Sequence, residues 1–168
     1  MLRFLRRFLT DPALQKKKAF LSSLDLFKEL RGRELGHLVK SLHSRVYKEG
    51  EVIFMEGDIG RALFILETGK VILTKKDQGG RMRKLFTLEP GDFFGEMALL
   101  EQLPRTATAT ASERSVIHLL YRSDLEEILT FYPRVGVTIM TYLAQLMSSR
   151  LRHASKMAML QQSPTNYG

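Results

Sequence analysis

The chain has 168 residues, of which 44% are hydrophobic and 26% charged, a composition typical of one soluble globular domain with short extensions. It contains no cysteine, which excludes disulfides and thiolate metal sites. Its apolar runs are shorter than the ~20 residues that a transmembrane helix needs, so we expect a cytoplasmic protein.

The formal net charge of +8 is concentrated at the two ends of the chain. Residues 1–18 contribute +5 and residues 133–168 contribute +4, which leaves −1 for residues 19–132. Because the centre is electrically balanced, its charge argues against a nucleic-acid surface there.

The first residues predict a short basic amphipathic helix over residues 2–9. Leucines and phenylalanines recur there at helical spacing, and arginines occupy the other side. A helix of this kind either packs against the rest of the protein or lies on a membrane surface or a partner helix. Peripheral membrane contact through residues 2–9 is therefore one of the open interpretations.

Four further helices are predicted from start signals and periodicity. Thr10-Asp11-Pro12 combines a capping side chain with a proline at a first helical position, which predicts a helix from Pro12 to Ser22. Arg33 to Leu42 also has a helical pattern. Ser123 and Glu126 form a capping-box pattern that predicts another helix start. A long helix is expected from Pro133 to about Leu160.

Between the second and third of these helices, short β-rich runs alternate with glycine-containing turns, which predicts a sandwich or barrel. The predicted strands are Val52–Phe54, Leu63–Leu66, Val71–Leu73, Leu85–Thr87 and Val116–Leu120. A strict threonine and alanine alternation from Thr106 to Ala111 predicts one more strand, whose small alanine face would leave room inside a barrel.

The long C-terminal helix carries a wide apolar stripe at spacings of three and four residues. The stripe either packs in the core or pairs with another helix across a dimer axis. Residues 161–168 are polar and predict a flexible tail.

A candidate anion site precedes the alternating strand. Residues 97–100 can form one helical turn whose first N–H groups have no partner inside the helix, and Gly95 lets a ligand approach the backbone. Arg105 follows a chain-reversing proline, and its planar fork can hold two oxygens of a phosphate. Thr106 can add a hydroxyl donor.

Glu96 repels a phosphate, so its natural partner is a neighbouring sugar hydroxyl. These residues together predict a nucleotide whose phosphate and sugar lie close together. The alternative is that Glu96 and Arg105 form a surface ion pair and that the alanines fit a crowded core. Spacing alone does not decide between the two.

Residues 94–99 (Phe-Gly-Glu-Met-Ala-Leu) and 104–108 (Pro-Arg-Thr-Ala-Thr) resemble the phosphate-binding cassette of the cyclic nucleotide-binding domain family. That family includes catabolite activator proteins, cyclic-nucleotide-dependent kinases and cyclic-nucleotide-gated channels. The resemblance covers roughly residues 19–160 and includes Gly50, residues 56–58, Gly69 and residues 90–92.

The resemblance implies an α+β fold, in which a jelly-roll-like β-roll (a double-stranded β-helix) of about eight antiparallel strands is flanked by N-terminal helices and a long C-terminal helix. It implies that Glu96 holds the ribose 2′ hydroxyl and Arg105 the cyclic phosphate. The other implied ligand-binding residues are Gly95, Met97, Ala98, Thr106 and Ala107.

The resemblance also implies that the last helix covers the base. Ser149, Arg150 and Leu151 lie at a suitable distance along the chain for this capping role. A hydroxyl residue after the arginine, here Thr106, occurs in binders of either messenger. The choice between cAMP and cGMP therefore stays open.

Catalysis is not expected, because metal-dependent chemistry needs clustered ligands. The four histidines are scattered through different predicted elements, so we expect no enzyme activity, no metal and no cofactor. Direct sequence-specific DNA binding is not expected either, since catabolite activators place a helix-turn-helix after the long helix, whereas eight residues follow Leu160 here.

The sequence thus predicts a stand-alone regulatory module that binds cAMP or cGMP and relays occupancy to its helices. The terminal helices would contact a second copy or a partner protein. The predicted units are an N-terminal extension (1–18), the β-roll with flanking helices (19–132), a lid or dimerisation helix (133–160) and a tail (161–168). The alternative is a ligand-independent scaffold that retains the fold.

Overall fold

The structure, a computed structural model, describes residues 11–101 and 103–162. The predicted helix over residues 2–9 and the tail from residue 163 lie outside the described residues. The helices are α1 (Pro12–Ser23), α2 (Gly32–Ser41), α3 (Glu96–Glu101), α4 (Arg122–Phe131) and α5 (Pro133–Gln162), with a 3₁₀ turn at Asp25–Phe27. The strands are β1 (His43–Tyr47), β2 (Val52–Phe54), β3 (Ala62–Thr68), β4 (Val71–Lys76), β5 (Met82–Leu88), β6 (Phe93–Phe94), β7 (Thr108–Ala111) and β8 (Ser115–Tyr121).

Two of the predicted helix starts have different outcomes. The Asp11 carboxylate accepts the N–H of Ala13 at 2.9 Å and caps α1 as predicted. The predicted capping box of α4 is wrong, because β8 runs directly into a helix that begins at Arg122 with Tyr121 as its N-cap. Glu126 instead accepts a hydrogen bond from Arg122 Nε at 2.9 Å.

Eight antiparallel strands form two sheets, in the orders β1-β8-β3-β6 and β2-β7-β4-β5. The predicted α+β fold with a jelly-roll-like β-roll is therefore confirmed. Strand β1 was not predicted, because Tyr47 alone among its five residues is buried and no apolar pattern marks it.

The core consists of two hydrophobic clusters, and strand β3 contributes side chains to both. Leu63 and Ile65 point toward the helices, whereas Phe64 and Leu66 point between the sheets. A strand buried on both faces reads as a continuous apolar run, which explains the unbroken burial from Ala62 through Glu67.

The alanine face of β7 points inward as predicted. Ala109 and Ala111 are fully buried in the cluster between the sheets, and Thr108 and Thr110 on the other face are partly exposed. The register places Ala109 opposite Leu73. Both side chains pack within that cluster, and Ala107, just before the strand, lines the cavity described below.

The apolar stripe of helix α5 packs in the core along the first part of the helix. Val135, Ile139 and Leu143 are buried in the core, whereas Leu151 is 69% exposed. Beyond Arg150 the residues through Lys156 are exposed, and the helix continues to Gln162, two residues past the predicted end. Among the described helices, none has the length and apolar character that a membrane crossing requires.

Candidate functional site

Two backbone hydrogen bonds to Gly57 and Asp58 hold the backbone of Arg105 in place. The Arg105 N–H donates to the carbonyl of Asp58 at 2.8 Å, and the Gly57 N–H donates to the carbonyl of Arg105 at 2.9 Å. Pro104 also forms an isolated antiparallel β-bridge with Ile59. These bonds place the arginine side chain inside the roll.

Arg105 is 6% exposed, and its guanidinium lies among aromatic rings and backbone carbonyls. Nη1 donates to Gly95 O at 2.7 Å, and Nη2 donates to Ala62 O at 2.9 Å. Its Cζ lies 4.3 Å from the ring centroid of Phe54 and 5.1 Å from that of Phe64, a cation–π geometry. Within the described chain, Nε has no hydrogen-bond partner.

Burial lowers the pKa of Arg105, while the carboxylates of Glu96 and Asp58 act to raise it. An arginine nevertheless keeps its charge in proteins. Among the described residues no carboxylate lies within ion-pair distance of this guanidinium. A buried cation of this kind is stabilised by an anion.

Gly95 makes the close approach of Arg105 possible. Its φ is +77°, and a Cβ there would lie 2.5 Å from Arg105 Nη1 and 3.0 Å from Phe64 Cδ2. A glycine is therefore required at this position for both its backbone conformation and its lack of a side chain.

Glu96 is the first residue of α3 and is 2% exposed. Its Oε1 accepts from Arg150 Nη1 at 2.5 Å, and Arg150 Nη2 donates to Phe93 O at 2.8 Å. Its Oε2 is buried with no partner in the part of the chain that the structure describes. The surface ion pair between Glu96 and Arg105 is therefore wrong, because both side chains are buried and the acid pairs with Arg150.

These groups face a cavity of about 240 Å³. The predicted ligand-binding residues that line it are Gly95, Glu96, Met97, Arg105, Thr106 and Ala107. Ala98 belongs to the first turn of α3, and its side chain lies outside the described part. The cavity is also lined by apolar residues that were not predicted to contact a ligand, which are Phe54, Leu73, Leu85, Phe86, Pro104 and Ala154.

Of the three predicted capping residues, the structure brings Arg150 to the cavity. Ser149 and Leu151 are exposed and do not line it. Ala154, one helical turn after Arg150, does line it. The four-residue spacing of one helix face was the sequence signal that could have found Ala154.

Residues 44–131 match the family model described as "Cyclic nucleotide-binding domain". The chain belongs to the cyclic nucleotide-binding domain family. It is 37% identical over 129 residues to the cyclic AMP receptor protein of Thermus thermophilus, which covers 77% of this chain and 58% of that protein. It is 33% identical over 127 residues to a cAMP-dependent protein kinase regulatory subunit of Yarrowia lipolytica, with 74% of this chain and 33% of that protein covered.

The crystal structure of the Thermus thermophilus catabolite activator protein is similar to this cyclic nucleotide-binding domain, with a TM-score of 0.72 and 36% identity. The match covers 81% of this chain and 62% of that one. The chain thus spans about three fifths of the receptor and one third of the kinase regulatory subunit.

Histidines of this domain have acidic neighbours that the sequence did not reveal. His118 Nε2 lies 2.8 Å from Glu67 Oε2, and both residues are buried. His43 Nε2 lies 3.4 Å from Asp124 Oδ2. In the described ranges no group of three or more histidine and acidic side chains has a geometry suited to a metal ion.

Proposed function

We propose that the cavity binds a cyclic nucleotide monophosphate, cAMP or cGMP. The observation that carries this proposal is the pair of buried groups in one apolar cavity, the Arg105 cation and the Glu96 carboxylate. Within the described chain each has a polar atom with no partner, Arg105 Nε and Glu96 Oε2. A phosphate and an adjacent sugar hydroxyl supply both missing partners.

Arg105 would pair with the cyclic phosphate. A guanidinium has five N–H donors, and the described contacts of Arg105 to Gly95 O and Ala62 O occupy two of its nitrogens. The remaining donors are available to phosphate oxygens in charge-assisted hydrogen bonds. The backbone of Gly95, Met97, Ala98 and Ala107 would complete this side of the site, with Thr106 as a further donor.

Glu96 would accept the ribose 2′ hydroxyl through Oε2. Because Arg150 holds Oε1, the same carboxylate would join the ligand to helix α5. Arg150 and Ala154 would then cover the base from α5. Phe86 would contact the base from β5, where its ring lies 6.2 Å from the ring of His153.

We also propose that the domain acts as a regulatory module rather than an enzyme. Its similarity to a receptor protein and to a kinase regulatory subunit supports this role. Occupancy would be relayed from the β-roll (19–132) to the C-terminal helix (133–160), and the terminal helices would contact a second copy or a partner protein. The exposed apolar side chains of Val137 and Leu151 on α5 support such a contact.

A ligand-independent scaffold is the second candidate function. It is favoured by the protein groups that already bind the two key side chains, since Arg105 donates to two carbonyls and Glu96 accepts from Arg150. A scaffold of this kind needs no ligand to satisfy most of its buried polar atoms.

Calorimetric titration of the full chain with cAMP and with cGMP tests the proposal. We expect saturable binding of at least one messenger. Arg105→Ala should weaken it by about 2 to 5 kcal/mol, as when one member of a buried charge pair is removed. Glu96→Ala should weaken it by about 1 to 3 kcal/mol, as expected for a hydrogen bond to a charged group.

Arg114→Ala is the matched control, because Arg114 is an exposed arginine in the turn between β7 and β8. The affinity of this variant for cAMP and cGMP should equal that of the parent chain. Absence of heat with both messengers in the folded parent protein would favour the scaffold. Unchanged affinity in the Arg105 and Glu96 variants would move the site elsewhere.

A further inference from the structure

A second groove lies between the 3₁₀ turn and helix α5, separate from the nucleotide cavity. It consists of two adjoining cavities of about 300 and 400 Å³ that share Asp25, Leu26 and Tyr142. Phe93 lines one cavity and Val137, which is 62% exposed, lines the other. None of these residues lines the nucleotide cavity.

The charged side chains that line this groove are acidic. Asp25 and Glu29 are its only charged lining residues within the described ranges. Asp25 is paired with Lys28 at 2.5 Å, whereas Glu29 forms no ion pair with a described residue. Burial raises the pKa of the Tyr142 hydroxyl, the charges of Asp92 and Glu96 raise it further, and the charge of Arg150 opposes them. An apolar groove with acidic edges is complementary to a basic amphipathic segment.

Residues 2–9 of this chain have that chemistry. The segment contains three arginines, no acid and five leucine or phenylalanine residues. As a helix its eight residues would be about 12 Å long. The stretch of α5 that lines the groove, from Val137 to Gln145, has a similar length at the same rise per residue.

The connection to α1 decides which copy of the segment can occupy the groove. The groove begins at Ser23 and Leu24, at the C-terminal end of α1, whereas residues 2–9 join the N-terminus of that helix. Twelve helical residues separate these ends by about 17 Å, and Thr10 and Asp11 are the only connecting residues. A helical segment folded back along α1 would reach only the near edge of its own groove.

We propose that residues 2–9 of a second copy of this chain dock in the groove between the 3₁₀ turn and α5. The arginines would face Asp25 and Glu29, and the leucines and phenylalanines would cover Leu26, Val137 and Tyr142. Reciprocal exchange of the two segments gives a closed twofold dimer. This dimer contact shares no lining residue with the nucleotide cavity.

The absence of cysteine from the chain makes a disulfide test specific. Full-length Phe8→Cys and Val137→Cys chains, one carrying a C-terminal tag, are mixed under mild oxidation. We expect a mixed disulfide about tenfold more abundant than with Val46→Cys, because docking raises the local thiol concentration. Val46 is the matched control, since it is an exposed valine on β1, at the opposite edge of the sheet from β6.

Charge reversal provides a second readout, the self-association constant from sedimentation. Glu29→Lys should weaken association by about threefold to tenfold, and adding Arg6→Glu should restore it. Glu113→Lys, an exposed acid in the β7–β8 turn, should have no effect. Cyclic nucleotide affinity should be the same in all three, which separates failure of this contact from failure of the nucleotide site.

Three results would overturn the proposal. The first is a mixed disulfide no more abundant than with Val46→Cys. The second is an exclusively intrachain disulfide in the Phe8→Cys, Val137→Cys double variant, which would assign the groove to the same copy. The third is a monomeric mass together with sedimentation on anionic vesicles that requires residues 1–10, which would assign the segment to lipid.

Discussion

Gly95 determines how closely the Arg105 guanidinium can approach the backbone. The Arg105 bond to Gly95 O and the stacking of the guanidinium on Phe54 both depend on the space beside this glycine. A methyl group there would meet Nη1 at 2.5 Å, with the ring of Phe64 behind it. The side chain that would hold the phosphate would have to move.

Gly95→Ala should therefore reduce both stability and nucleotide affinity. A residue other than glycine at a positive φ costs about 1 kcal/mol or more, and displacement of Arg105 should remove most of the binding. Denaturant unfolding and titration measure the two effects. Gly36→Ala in α2, where a Cβ meets nothing within 4 Å, should instead raise stability by about 0.5 to 1 kcal/mol. Equal stability of the two variants would contradict this account.

The two central site residues were accessible from sequence because they lie nine positions apart, on either side of one short helix and turn. Arg150 was predicted only as a base cap, and its contact with Glu96 was not foreseen. That contact joins residues 54 positions apart and depends on the path of α5. Phe86 was also missed as a lining residue, because the bulge between β4 and β5 determines which side chains face the cavity.

Arg150 also connects helix α5 to the β-roll at a point where the helix has little other packing. Residues 151–156, which follow it, are exposed. The contacts to Glu96 Oε1 and Phe93 O are therefore expected to restrain the second half of the helix.

Arg150→Ala should increase amide hydrogen exchange between residues 146 and 156 of the protein without nucleotide. Local opening becomes more frequent when a helix loses its tertiary contacts. Arg152→Ala is the control, because the hydrogen bond that the structure describes for Arg152 lies within the helix, to Ser148 Oγ at 2.7 Å. An equal increase in both variants would show that Arg150 does not anchor α5.

Helix α1 covers a buried pair of titratable residues on the first sheet. His118 is 1% exposed, with Nε2 near Glu67 and Nδ1 3.0 Å from Ser44 Oγ. Lys16 contacts Glu67 at 3.3 Å, and the ring of Phe20 lies over His118. Burial lowers the pKa of His118; Glu67 opposes this shift, and Lys17 and Lys16 add to it.

Stability should therefore fall as the pH decreases below about 6.5, the unfolded-state pKa of histidine. The unfolded chain binds a proton before buried His118 does, so the contribution of His118 is complete above that pH and is lost as the pH approaches its folded-state pKa. The slope attributable to one proton is at most about 1.4 kcal/mol per pH unit.

Urea unfolding of His118→Gln between pH 5 and 7 measures this contribution. The variant should show a flatter dependence on pH even if its overall stability is lower. A slope unchanged by His118→Gln would assign the pH dependence to other groups.

Regular patterns decided which helices and strands could be predicted. The apolar run of β3 and the proline-started α1 were accessible from sequence, because burial and capping leave local signals. Strand β1 leaves no such signal, since its pairing with β8 rather than its composition defines it. To predict the buried pair of Glu67 and His118, one would have needed the register between β3 and β8.

The N-terminal helices contact the junction between α4 and α5. The ring of His37 in α2 stacks on Tyr132 at a centroid distance of 3.8 Å, and Glu34 lies 3.5 Å from Arg134 Nε. Movement of α5 at this junction would therefore be transmitted to α2 through these contacts. The two contacts give the proposed relay a physical route between the ends of the chain.

Saturating nucleotide should change amide exchange in both α5 and α2. His37→Ala should reduce the change in α2 and leave that in α5, because it removes the stacked contact but not the cavity. A ligand shifts such an equilibrium only through different affinities for the two states. Equal exchange in all helices with and without nucleotide would rule out the relay.

The β-roll and its family could be predicted because one cassette of residues carries both the fold and the site. The contacts between the helices and the roll could not, since they join residues far apart in sequence, such as His37 and Tyr132. The predicted boundary at residue 133 coincides with the start of α5, whereas that between residues 18 and 19 falls inside α1. These unit boundaries stay a prediction.

The contact of Arg150 with Phe93 O and Glu96 has a kinetic consequence. It holds α5 beside the cavity, which Arg150 and Ala154 line. In the proposed relay, a nucleotide would enter or leave during the fraction of time in which the helix has moved away. The apparent dissociation constant then exceeds the intrinsic one by the reciprocal of that fraction. A partner that stabilised the open helix would speed up exchange of the messenger without touching any atom that binds it.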